Sequence, residues 1–132
     1  MELKGEHKME LMKLKNHRYA QCRYYHTMYL AGKQGWGHEW GFMSYSTRVI
    51  IVRGSRVMFT GYYSRTTSKQ MTWWLEEFGD RLKGLTRDTL KIMDEEGMAY
   101  DYETGELTPL TDYEERERKE VRRSAFHYGY GW

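Results

Sequence analysis

The sequence predicts an α+β fold, in which a small antiparallel sheet packs on an amphipathic helix. Three local signals carry that prediction. Gly54-Ser55 joins two β-branched runs, an apolar stripe at helical spacing follows it, and hydroxyl residues stand where helices must begin.

Val49-Ile50-Ile51-Val52 and Val57-Met58-Phe59-Thr60 flank Gly54-Ser55. A two-residue loop with glycine first is the type II′ turn, whose twist matches that of the strands it joins. The central hairpin is therefore placed at about residues 47–61. Its register pairs Val52 with Val57 and Ile50 with Phe59 on one core face, and sets Arg53 beside Arg56 at the tip.

The next segment, about residues 67–83, reads as a helix. Met71, Trp74, Leu75, Phe78 and Leu82 fall on one stripe that suits the face of the sheet. Thr67 and Gln70 fit a capping box at its start. Thr86 caps a second helix, with Leu85 and Leu90 as a hydrophobic staple and Gly97 as its stop. Tyr100-Asp101-Tyr102 and Leu107-Thr108 form a second, smaller hairpin that Pro109 cannot extend. Thr111 and Glu114 form another capping box and open a charged helix over about residues 112–124. Asp112–Arg116, Glu114–Arg118 and Glu115–Lys119 are i,i+4 pairs with the acid first, the favourable order. With only Tyr113, Val121 and Ala125 apolar, this helix is expected to be solvated or to pack on a partner.

The first third is harder to read. A short helix is expected from about Glu6 to Lys15, and residues 17–31 fit a strand or a helix equally. Four glycines between Ala31 and Gly41 indicate a loop. The whole chain, 1–132, is expected to be a single domain, with 1–16 and 125–132 loose or ordered by a partner.

Composition narrows the function classes. Mean hydropathy is -0.90, yet aromatic residues make up 16% of the chain, and large rings can close a core despite a polar average. No apolar run approaches the ~18 residues of a membrane span. The start, Glu-Leu-Lys-Gly-Glu-His-Lys, resembles neither a secretory signal nor a transit peptide. Cys22 is the one cysteine. A reducing compartment, the cytoplasm, is the expected location. Charge is segregated. Residues 1–50 and 51–93 each carry net +4, and residues 94–132 carry −6. From Asp94 to Glu115 there are nine acids and no base.

No nucleophile elbow, phosphate loop or His-Glu-x-x-His motif is present. Cys22 and His26 lack the further ligands a metal requires. No catalytic residue, metal site or cofactor is predicted. Three surfaces are candidates for partners. Asp94, Glu95, Glu96, Asp101, Glu103 and Glu106 form an acidic docking face that would attract a basic, nucleic-acid-binding surface. Trp36 and Trp40 in a glycine-rich segment, with Phe126, Tyr128, Tyr130 and Trp132 in the tail, offer flat anchoring area. These rings serve the chain's own core equally well. Arg53, Arg56, Arg65 and Lys69 could hold phosphates of a nucleic acid. Arg65 and Lys69 flank hydroxyls at a helix start, where plain capping also explains the Ser and Thr residues.

Ser44-Tyr45-Ser46-Thr47, the Gly54-Ser55 turn, Tyr63-Ser64-Arg65-Thr66-Thr67-Ser68 and Trp73-Trp74-Leu75 follow one another in a recognisable order. This resembles a family of small uncharacterised proteins of bacteriophages and prophages, with the pattern Ser-Tyr-x-Thr … Tyr-Ser-x-Thr-Thr-Ser over about residues 44–78. Gln70 stands where many members carry a histidine. The resemblance implies a phage accessory protein. The expected function is non-catalytic binding and inhibition of a host nucleic-acid-processing or defence complex, in the manner of an anti-CRISPR. A single-stranded nucleic-acid-binding protein is the alternative, and a small metal-dependent enzyme a remote one. The expected partner is a host protein or protein–nucleic-acid complex, with no membrane involved.

Overall fold

A computed structural model describes residues 7–14, 22–30 and 36–127. The strands are β1 (His7–Lys13), β2 (Cys22–Leu30), β3 (Trp36–Ser44), β4 (Thr47–Arg53), β5 (Arg56–Phe59), β6 (Met98–Asp101) and β7 (Glu106–Pro109). The helices are α1 (Arg65–Phe78), α2 (Arg87–Glu96) and α3 (Asp112–His127), with a short 3-10 turn over Gly79–Leu82 after α1. All seven strands join in one antiparallel sheet in chain order, β1-β2-β3-β4-β5-β6-β7. The fold is α+β.

The central hairpin has the predicted register. Ile50 faces Phe59, Val52 faces Val57 and Arg53 faces Arg56. Gly54 has φ +60 while Ser55 stays out of the left-handed region, as a type II′ turn requires. Ile50, Val52, Val57 and Phe59 share one core cluster with Met71, Trp74, Phe78 and Leu82. Trp74 lies fully buried, and its indole N–H donates to the Gly41 carbonyl at 3.1 Å, so its polar atom is not stranded.

α1 begins before its expected start. Ser64 is the cap, its Oγ accepting from the Thr67 backbone N–H at 3.1 Å. Thr67 and Gln70 are turned inward and buried. α2 starts at Thr86 and stops at Gly97, which takes φ +66. Leu85 and Leu90 are both buried, as the staple expects. At α3 the capping box is complete. The Glu114 N–H donates to Thr111 Oγ1 at 3.1 Å, and the Thr111 N–H donates to Glu114 Oε1 at 2.9 Å.

The first third corrects the sequence reading. His7–Lys13 is a strand, not a helix, and it pairs along its length with β2. The glycine-rich segment is not a loop from residue 36 onward, because Trp36–Ser44 is the third strand. Gly41 explains why a glycine serves inside a strand. A Cβ there would sit 1.9 Å from the Ile50 carbonyl oxygen and 3.1 Å from the Tyr25 ring. Of the two terminal stretches expected to be loose, residues 7–13 form β1, Leu14 is buried, residues 125–127 belong to α3 and Ala125 is buried. Residues 128–132 lie outside the described residues.

The hairpin's second face is also covered. Ile51 and Met58 point away from α1, yet they are 1% and 2% exposed. They lie on the side of the sheet where α3 is tied down.

Candidate functional site

α3 is neither solvated all round nor left for a partner. Its inward row, Glu114, Glu117, Arg118 and Arg122, makes ion pairs with the sheet and with α2. The i,i+4 arithmetic of the sequence assigned Glu114 to Arg118. In the fold Glu114 meets Arg56 instead, with Nε–Oε2 at 2.6 Å and Nη2–Oε1 at 2.8 Å. This fork-on-carboxylate contact outcompetes a flexible pair along the helix, because two parallel bonds form from rigid groups. Arg56 also donates to Thr108 Oγ1 and to the Pro109 carbonyl.

The densest polar cluster lies beside it. Glu39 on β3 is 4% exposed. Its Oε2 accepts from the Tyr25 hydroxyl at 2.8 Å and from Arg48 at 2.6 Å. Its Oε1 accepts from Arg53 Nε at 3.0 Å and Nη2 at 2.8 Å. Arg53 and Arg48 reach on to Glu117 of α3. Two guanidiniums thus bridge two carboxylates. Burial raises the pKa of Glu39, and the charges of Arg48 and Arg53 more than reverse this, leaving it below the ordinary carboxylate value. Burial, the charge of Glu39 and their hydrogen bond push the Tyr25 hydroxyl well above its usual value. The cluster is matched in charge and bonded on every side, a structural joint between strand and helix.

A β-bulge makes this joint. Phe42 pairs with Ile50 but Met43 pairs with Arg48, so Val49 is an extra residue. Without it Arg48 and Ile50, two apart, would share the α1 face. The inserted residue turns Arg48 to the other face, where Glu39 and Arg53 already point.

The structure also joins the two halves of the Ser-Tyr-x-Thr … Tyr-Ser-x-Thr-Thr-Ser pattern. Ser44 Oγ donates to Gln70 Oε1 at 2.6 Å and lies 3.2 Å from Thr67 Oγ1, with all three residues at 2% exposure or less. The hydroxyls dock the β3–β4 turn onto the first turns of α1. Tyr45, at the tip of that turn, holds φ +56 and is exposed.

The four expected cations do not converge. Arg53 and Arg56 are committed to Glu39, Glu117 and Glu114. Arg65 and Lys69 are exposed, one turn apart on the outer side of α1. The acidic segment divides as well. Asp94 binds Arg122 and Arg118. Asp101 accepts from Ser55 and from the Glu103 and Thr104 backbone. Glu95, Glu96, Glu103 and Glu106 are exposed. The first two end α2, and the last two stand in the β6–β7 turn and at the start of β7, at opposite ends of β6.

Trp40 turns inward rather than outward. It packs near Tyr24, Trp74 and Phe78, with the Arg81 guanidinium 4.5 Å from its ring centroid. Trp36 lies on β3 and Phe126 on α3, with side chains outside the described ones. Tyr128, Tyr130 and Trp132 lie outside the described residues. Among the described residues no group of His, Cys, Asp and Glu is arranged to hold a metal, and no helix is long and apolar enough to cross a membrane. Sequence reasoning missed Glu39, Tyr25 and Glu117. A lone glutamate among apolar and aromatic residues in a strand is the signal that could have marked Glu39.

Comparisons with protein-family models, with curated protein sequences and with solved structures found no match to this chain.

Proposed function

We propose that this chain is a non-catalytic, phage-type accessory protein that binds a host protein and inhibits a nucleic-acid-processing or defence complex. One observation supports protein binding over nucleic-acid binding. Arg53 and Arg56, half of the basic set that would meet a phosphate backbone, are neutralised inside the fold. Glu95, Glu96, Glu103 and Glu106 remain outward. Outward carboxylates, even in two separate pairs, steer toward basic partners and repel phosphates. Basic surfaces are what nucleic-acid-handling proteins present.

The test is capture of partners from bacterial lysate after nuclease treatment. A stoichiometric protein partner is expected, lost when the four exposed glutamates are changed to lysine while the circular dichroism spectrum is unchanged. Capture of nothing, or capture that survives the four changes, overturns the reading. The exposed pair Arg65 and Lys69 favours the second reading, a single-strand binder. That reading requires a gel shift at low salt that weakens steeply as salt rises.

A further inference from the structure

The two edges of the sheet are finished differently. β7 is four residues long and ends in Pro109, which has no N–H to offer. The Glu106 N–H donates to Thr104 Oγ1 at 3.2 Å, and Arg56 donates to the Pro109 carbonyl at 3.0 Å. Short length, proline and occupied backbone groups keep an edge from recruiting another strand. β1 is seven residues long, His-Lys-Met-Glu-Leu-Met-Lys, without glycine or proline. It pairs with β2 residue by residue, from His7 opposite Tyr29 to Lys13 opposite Arg23, with no bulge. Among the described residues no strand pairs with its outer edge. Leu11 and Met12 are 42% and 43% exposed there. Successive residues of a strand point to opposite faces of the sheet. A helix laid on either face would cover one of the two and leave the other, whereas a strand laid alongside covers both.

From this we propose that β1 is a dimer edge, occupied by β1 of a second copy of this chain, antiparallel across a two-fold axis perpendicular to the sheet. Such an axis keeps like faces together, so opposed residues must share a face and their numbers must sum to an even value. The charged positions then select the register. Pairing all seven residues sets Glu10 against Glu10, and like charges directly opposed are destabilising. Sliding one copy by two residues removes that clash. In one direction Lys8 meets Glu10, but Met12 falls outside the pairing. In the other, Leu11 meets Leu11 on the axis, Glu10 meets Met12 and Met9 meets Lys13. Exposed ion pairs contribute little, so cover for the exposed apolar residues decides for the second register. Main-chain hydrogen bonds hold the two copies, with Leu11 at the centre, as in strand addition to any open edge. Two seven-stranded sheets thereby become one continuous sheet. The inference does not depend on the partner proposed above.

Sedimentation velocity on the purified chain tests it. A species of twice the 16.0 kDa chain mass is expected, in reversible exchange with monomer as concentration falls. Leu11→Lys sets two cations against each other on the axis. It should weaken dimerisation roughly tenfold and leave the circular dichroism spectrum unchanged. In a Cys22→Ser chain, Leu11→Cys should form an intermolecular disulfide on mild oxidation, because the two residues are directly opposed. Met12→Cys, offset from its counterpart by two positions, should not. A chain that sediments as monomer at every concentration overturns the inference. So does a dimer that Leu11→Lys leaves intact, and so does Met12→Cys cross-linking as readily as Leu11→Cys. Should Leu11→Lys misfold, the two cysteine variants decide.

Discussion

Glu39→Gln removes half the negative charge from a cluster that holds two guanidiniums below the surface. Breaking one side of a buried ion pair leaves the other uncompensated, at a cost of about 3–5 kcal/mol. Arg48 and Arg53 keep Glu117 and some water, so the expected loss is near the low end, about 3 kcal/mol, read from urea unfolding. The same residue sets the acid response. Glu39 and Glu114 titrate below the carboxylate value of 4.5, through the guanidiniums of Arg48, Arg53 and Arg56 acting against burial. A folded pKa below the unfolded one means that the unfolded chain takes up the proton first. Their contribution is therefore complete above about pH 4.5 and is lost as pH falls through the lower, folded values. Unfolding free energy should fall below that pH, and the fall should be shallower in Glu39→Gln, measured by urea titration at several pH values. Neither effect could be read from composition. Glu39 and Glu117 are far apart in sequence, and nothing local marks Glu117 as buried.

Glycines separate what an element needs from what its neighbours need. Gly54 takes φ +60 at the hairpin tip with open space around it. Gly54→Ala meets only left-handed backbone strain, about 1 kcal/mol. Gly41→Ala drives a methyl into the Ile50 carbonyl oxygen, a backbone atom that cannot turn aside. The β3–β4 pairing must separate there, and a loss of more than about 3 kcal/mol is expected. Thermal unfolding of the two variants side by side gives the contrast. At this scale the sequence was legible wherever a signal is local. The Gly54-Ser55 turn, the Met71–Leu82 stripe, the Thr86 and Thr111 caps and Gly97 all act within about one turn of chain. β1 and β3 were illegible for the opposite reason. Their residues carry no strong strand pattern, and each becomes a strand by pairing with β2.

Across the whole molecule the sheet has two differently made faces. One carries the rings and aliphatic groups that meet α1 and α2, and the other carries the arginines paired with α3 around buried Ile51 and Met58. The near-neutral total charge of +2 is therefore the residue of internal cancellation, not an even coating. Trp74→Ala, at the centre of the first face, should cost about 4 kcal/mol and collapse the near-ultraviolet signal of the ring cluster.

By itself, the chain's order of residues determined the hairpin register, the presence of the three helices, the Thr86 and Thr111 caps, and the α+β class. These follow from periodicity and from backbone donors that need a partner within a few residues. Tertiary structure alone decided that three further strands extend the sheet at its N-terminal edge, that Val49 bulges, and that acids from the last helix neutralise arginines of the hairpin. Such choices depend on which distant groups can approach in three dimensions, and ion pairing over long sequence separation leaves no periodic trace along the chain.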